Sequence, residues 1–149
     1  MTIETCNGYL AVVAALNEGS DHACQYTLAA LEESAELKEA IAREIFGSDR
    51  SDLAKKIELL PVAAPWRGAV EAAVFQWFFV QAYSPSTQGD LVQRNVVIGF
   101  LEHLSHVVGN ADVFEVGGEA IALGWAVVWQ GFIFCSGSRR WLLQFGWHD

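Results

Sequence analysis

The chain is predicted to fold as an α+β domain, a cluster of about five helices over residues 1–110 packed on an antiparallel sheet of about three to four strands over residues 111–149. Three observations predict this. Apolar residues recur at i, i+3, i+4 through most of the first 110 positions. After Asn110 the period falls to 2, and glycine-rich turns punctuate it. Aromatic residues concentrate in that second part, where four of the six tryptophans, Trp125, Trp129, Trp141 and Trp147, occupy alternating strand positions.

A length of 149 residues matches one domain with a core of ordinary size. The elements can be taken in order. Tyr9, Leu10, Val13 and Leu16 share a helix face, and Gly19 is placed to end that helix. Ser20 and Asp21 supply N-cap chemistry for a second helix, which stops near Ser34 or continues through Leu37, Ile41 and Ile45 to Gly47. After the polar connector 48–52, a short helix puts Leu53, Ile57 and Leu60 on one face and closes at Pro61. The connection from Pro61 to Pro65 is too short for a domain linker, and no internal repeat or low-complexity tract is present.

The helix from about Trp66 to Tyr83 is the most apolar element. Arg67, Glu71, Gln76 and Gln81 do not gather into one stripe, so this helix belongs in the middle of the fold or at an interface. After a loop at 84–89, Asp90 can cap a helix running to Val108. Val97, Phe100, Leu101, Leu104 and Val108 lie on one side of it, and Arg94, Asn95, Glu102, Ser105 and His106 on the other. Gly109-Asn110 ends it with residues that tolerate a left-handed conformation.

Val113–Val116, Gly117-Gly118 and Glu119–Leu123 then predict a hairpin or a strand and turn. Gly124–Ser136, a turn at Gly137, and Ser138–Trp147 predict a longer hairpin. Trp125, Val127, Trp129, Ile133 and Cys135 are read as sharing a face with Trp141, Leu143, Phe145 and Trp147. The reverse face, with Phe132, Phe134, Arg140, Leu142, Gln144 and His148, is mixed. Helices are therefore expected on the first face and some further covering on the second.

Composition narrows the function classes. Hydrophobic residues make up 52% and charged residues 18%, which argues against disorder. The net charge of −9 and the scarcity of basic residues argue against nucleic acid as partner. Met1–Asn7 carries no basic region of the kind that begins a secretory signal. The apolar stretch Gly68–Tyr83 falls short of the roughly 20 residues that span a bilayer. Cys6, Cys24 and Cys135 form no CxxC and read as free thiols of a reducing compartment, so a cytoplasmic location is expected.

Candidate chemistry is sparse. Glu102 and His106 lie four apart on one helix and could hold a proton-transfer water. His103 and His106, three apart, could supply two metal ligands if a third came from elsewhere, but no HExxH spacing accompanies them. The simpler reading is a solvated helix face. Cys135-Ser-Gly-Ser-Arg-Arg superficially resembles a phosphatase loop. The position needing arginine is Trp141, however, and the segment leads into a strand, so Ser136-Gly137-Ser138 reads as a turn. No nucleotide-binding or hydrolase motif occurs, and no cofactor is expected. Trp66, Trp77, Phe78 and Phe79 read as core.

The tryptophan-rich strands carry the best lead. Most of that surface is expected to be core, but the final strand is read as an edge. Trp141 and Trp147, rimmed by Arg139, Arg140 and His148, would then form a protein-binding edge. The expected function is a small acidic cytoplasmic protein-binding domain, such as an inhibitor, an antitoxin or immunity-like protein, or an adaptor, with a basic partner favoured. A homodimer is another way to consume the excess apolar surface. The alternative is a small-molecule-binding domain or small enzyme, with Glu102, His103 and His106 facing an aromatic pocket.

Overall fold

The computed structural model describes residues 2–18, 23–80, 89–122 and 128–148. Helix α1, Ile3–Asn17, starts at Thr2, whose hydroxyl accepts from the Thr5 N–H. Strand β1 follows at Ala23–Ala30. Helix α2, Leu37–Phe46, is capped by the Glu36 carboxylate and stops at Gly47, whose φ of 101° ends it. A 3₁₀ turn, Ser51–Lys56, leads into β2, Glu58–Pro61. Helix α3, Arg67–Phe75, runs on as a π-helical turn, Gln76–Val80. Helix α4, Asp90–Val108, precedes β3, Asp112–Gly117, the short helix α5, Glu119–Ala122, and the strands β4, Val128–Ser136, and β5, Arg139–His148. The expected caps at Gly19, Ser20 and Asp21, and Trp125, lie outside the described residues.

The mixed helix-and-sheet class is as predicted, but the sheet has five strands, in the order β1-β5-β4-β3-β2, all antiparallel. Two of the strands come from segments that read as helical. Ala23–Ala30 holds three alanines, yet it pairs with β5 from Ala23↔His148 to Ala30↔Trp141 and buries Tyr26 and Leu28. Tertiary pairing overrides local propensity here, as it does for strands generally. The other is β2, where Leu60 pairs with Glu115 on the sheet instead of joining Leu53 and Ile57 on one helix face. Pro61, expected to close a helix, ends an edge strand, where a missing N–H costs least. Glu119–Ala122, expected as a strand or turn, is a helical turn. Gly89, and not Asp90, is the N-cap of α4.

The β4–β5 turn decides which side chains share a face. Ser136 pairs with Arg139, leaving a two-residue turn at Gly137 and Ser138, with Gly137 at φ 61°. Odd positions of β4 therefore oppose even positions of β5. Phe132 and Phe134 stand beside Leu143 and Trp141 on one face, while Ile133 and Cys135 stand beside Leu142 and Arg140 on the other. This corrects the expected face. Trp129 lies on the opposite side of the sheet from Trp141 and Trp147.

Both faces are covered. On the first, α1, α3 and α4 bring Leu10, Val70, Val74, Trp77, Phe100 and Leu104 onto Tyr26, Phe132, Phe134 and Phe145. On the second, α2, the 3₁₀ turn and α5 bring Ile41, Ile45, Leu53, Ile57 and Ala120 onto Leu31, Val116, Ile133 and Leu142. Each fully buried large apolar side chain contributes about 1.5–3 kcal/mol. The helical part is thus split across the sheet rather than clustered on one side of it. Among the described residues, no helix is long and apolar enough to cross a membrane.

Gly118 shows how tightly the β2–β3 end is built. Its φ is 99°, and a Cβ there would sit 2.3 Å from the Lys56 carbonyl oxygen and 2.9 Å from the Glu58 nitrogen. We expect Gly118→Ala to lower stability by about 2–5 kcal/mol, strain and overpacking together. Gly68→Ala, in helix α3 with open space around the new Cβ, should be neutral or stabilising. Urea midpoints measure both, and a wild-type midpoint for Gly118→Ala would contradict the packing described.

Candidate functional site

Strand β5 is not an edge. It lies between β1 and β4, because β1 occupies the side that the sequence left open. Trp141 is only 5% exposed and belongs to the core under the helices. The Arg139 guanidinium covers its ring, 4.9 Å from the centroid. Trp147 is half-buried and meets Trp77 edge-on at 5.9 Å. It stands about 20 Å along the strand from Trp141. On the opposite face Arg140 donates to the Ala35 carbonyl at 2.7 Å, and His148 faces the Gln25 side-chain oxygen at 3.2 Å. Arg139, Arg140, Trp141, Trp147 and His148 therefore do not converge.

The histidine helix is also divided. Glu102 is tied to Arg67 of α3 in an exposed ion pair, which contributes little to stability. The His103 ring packs on Tyr9 at 5.2 Å, and its Nδ1 is buried without a hydrogen-bond partner among the described residues. His106 projects into solvent from the last turn of α4. No third His, Cys, Asp or Glu joins them as a ligand set among the described residues. The three thiols are free, and burial raises the pKa of each. At Cys135 the nearby Arg140 partly offsets that rise.

Sequence reasoning missed two polar chains that run through the first face. In one, Asn17, almost fully buried, donates from its amide to Tyr26 Oη and to the carbonyls of Trp77 and Phe78, each at 3.2 Å. Tyr26 Oη also donates to the Trp77 carbonyl, at 3.1 Å. The π-helical turn presents these carbonyls to α1 and β1. In the other, Trp77 Nε1 donates to Gln130 Oε1 at 2.7 Å, and Gln130 Nε2 donates to Glu115 Oε1 at 2.8 Å. An indole N–H can only donate and a carboxylate can only accept, so the orientation of the Gln130 amide follows.

Three concave surfaces border the elements described above. One, of about 790 Å³, lies at the bend containing the cis Ala64–Pro65 peptide, lined by Trp66, Arg67, Ser105, Asn110, Asp112 and Phe114. It approaches the end of α4 through Ser105 and Gly109, but His106 is not part of its lining. A groove of about 620 Å³ runs between α3 and α4, past Glu71, Gln76, Asp90 and Arg94. A smaller cleft of about 410 Å³ opens between α3 and the sheet, at Glu115 and Gln130.

The outer surface of α1 and α4 is a different kind of feature. Val12 and Leu16 of α1 are 61% and 75% exposed, and Leu91 of α4 is 71% exposed, with Val92 and Ile98 also open. Between Glu4 and Glu18 helix α1 carries no charge at all. Helix α2, by contrast, turns Glu44 to solvent and sets Arg43 in exposed ion pairs with Glu32 and Glu39. The two helices meet where Tyr9 packs on Phe100 and His103 and its hydroxyl covers Gly99. The pattern was visible as missing charges, but only the packing shows which α1 residues are left outside.

No protein-family model matches the chain, and no curated protein or solved structure matches it.

The buried groups of the first face make stability fall at high pH. Burial raises the Cys6 thiol from 9.0 to about 11, and raises Tyr26 from 10.0 to about 12 against the opposing bond from Asn17. Each is neutral when protonated, so the unfolded chain ionises first. The stabilisation is complete below pH 9 and is lost between pH 9 and pH 12. Thermal midpoints across that range should show the decline, with Tyr26→Phe flattening its upper part and Cys6→Ala its lower part. Unchanged slopes in both variants would contradict the assignment. Asn17→Ala, which takes the amide donor from the Phe78 carbonyl and from Tyr26 Oη and leaves the Trp77 carbonyl its bond from Tyr26, should cost about 2–3 kcal/mol in urea unfolding.

Proposed function

We propose that this chain is a small acidic protein-binding domain of the inhibitor, antitoxin, immunity-like or adaptor kind, working in the cytoplasm. Its docking face is the outer surface of α1 and α4 in place of the C-terminal strand. The observation that carries this reading is the uncharged, largely apolar outer face of α1, with Val12 and Leu16 standing in solvent. Apolar side chains clustered on adjoining helices mark interaction sites, whereas scattered ones do not. The three free thiols fit a reducing compartment.

Charge selects the occupant. The apolar stretch is bounded by Glu4 and Glu18 on α1 and by Asp90 and Glu102 on α4, and Arg94 is the one Lys or Arg in either helix. A second copy would set these carboxylates against their like. A partner with an apolar surface ringed by Lys and Arg would meet opposite charge, with the net charge of −9 speeding its approach. An acid–base role for the histidine helix has less behind it, since Glu102 is held by Arg67 and His103 is turned onto Tyr9.

A photo-crosslinking residue at Leu16, compared with one at Lys38 on α2, tests the proposal in the source cell. The expected result is an adduct at Leu16 with a basic protein. Its purified form should bind the wild-type chain at least about tenfold more tightly than the Val12→Glu/Leu16→Glu variant, with association slowed by salt. Both positions are exposed, so the variant should melt like wild type. Equal adducts at the two positions, or adducts with a second copy alone, would overturn the reading.

A further inference from the structure

Glu115 is a half-buried carboxylate that forms no ion pair among the described residues. It is nevertheless held in place. Trp77 is 1% exposed and stacked on Phe145 at 5.6 Å, so its indole N–H is fixed. That N–H orients Gln130, and Gln130 donates to Glu115 Oε1. A carboxylate accepts several hydrogen bonds, and only this one is used within the described chain. The remaining lone pairs belong to a charge partly withdrawn from water, which is costly unless an opposite charge meets it.

The surroundings define what would meet it. Helix α3 faces this part of the sheet with Ala69, Ala72 and Ala73, whose short side chains leave a cleft of about 410 Å³ walled also by Val62 and Phe132, with the polar Gln76 at the end of the helix. On the same sheet face Leu60, paired with Glu115 across β2–β3, is 53% exposed, and Val128, two residues before Gln130, is also open. An apolar wall leading to one anchored carboxylate fits a cation on an aliphatic stem. The negative charge disfavours anions. A lone carboxylate beside an amide supplies too few hard ligands for a divalent metal.

We propose that the α3–sheet cleft binds an alkylammonium or alkylguanidinium group, with Glu115 pairing the charge, Gln130 and Trp77 fixing the carboxylate, and the alanine wall of α3 covering the stem. The group can come from a free amine or from a lysine or arginine side chain of a bound protein. The cleft does not depend on the α1–α4 face, so either proposal can fail alone.

Titration followed by NMR at the Trp77 indole N–H and the Gln130 side-chain NH₂ tests it. The probes are n-butylammonium and n-propylguanidinium chloride, n-butanol as the neutral isostere of the first, and matched sodium chloride. Both cations should give saturable shifts, weakened at least about tenfold by Glu115→Gln, which keeps an acceptor for Gln130. Ala72→Leu, which fills the wall at an exposed helix position, should block the same shifts. Peptides containing one lysine or one arginine separate the sources: tighter binding than the free cations assigns a protein side chain, and equal or weaker binding a free amine. Equal shifts with butanol, shifts that persist in Glu115→Gln, or no saturable shift with either cation would overturn the proposal.

Discussion

The two-residue turn between β4 and β5 constrains everything around it. By pairing Ser136 with Arg139 it sends Phe132, Phe134, Trp141 and Leu143 to one side of the sheet, and Ile133 and Leu142 to the other. Neither face can be left in water. A hairpin that is apolar on both sides needs two covering layers, and the described helices that precede it supply both. The helices are accordingly divided, with α1, α3 and α4 on one face and α2 and α5 on the other. The same demand acts within the sheet plane. Two central strands with exposed ladders would be open to further pairing, so β1 closes one side and β2 extends the other through β3.

The new edges are themselves guarded. On β1, the Asn7 side chain receives the Leu28 N–H at 2.8 Å and donates to the Leu28 carbonyl at 2.9 Å, standing in for a neighbouring strand. On β2, shortness and Pro61 limit further pairing. On the second face, Trp129 folds its ring over Gly131, where a Cβ would come within 2.3 Å of the indole. Its N–H then reaches the buried Gln144 at 3.2 Å. The polar atoms that must go inside are thus paired with one another across elements, and Trp77, Gln130 and Glu115 follow the same logic until the carboxylate, where the donors among the described residues run out.

What could be read from the sequence depended on distance along the chain. Helix α2 and helix α4 show clean apolar faces, and Gly47, Gly109 and Gly137 stand at the positive φ values their turns require. These are local signals. The mixed reverse face expected for the last two strands joined residues that the turn sends to opposite sides, so both faces are apolar and both are covered. The misreadings were non-local. Ala23–Ala30 has the composition of a helix and becomes a strand only because β5 needs a neighbour. With that strand unseen, β5 appeared to be an edge and Trp141 appeared accessible. The Trp77–Gln130 and Gln130–Glu115 bonds join residues 53 and 15 positions apart, and nothing in the spacing announces them. The apolar side of α1 was legible as composition, but its direction was not.

The acidity of the chain and its apolar outer helices are best understood together. A soluble surface normally intersperses charge of both signs with few large apolar groups. Here charge is retained and even excessive, at −9, while α1 excludes it from one face. If that face simply needed to be kept from self-association, charges on α1 itself would serve, as those on α2 do. Placing carboxylates at the margins and leaving the middle apolar has a different consequence. Association of like copies is opposed at the rim, and association with a basic surface is favoured there, while the middle remains available for burial in either case. In the protein-binding role proposed above, discrimination between partners would come from repulsion at the margin and affinity from the centre.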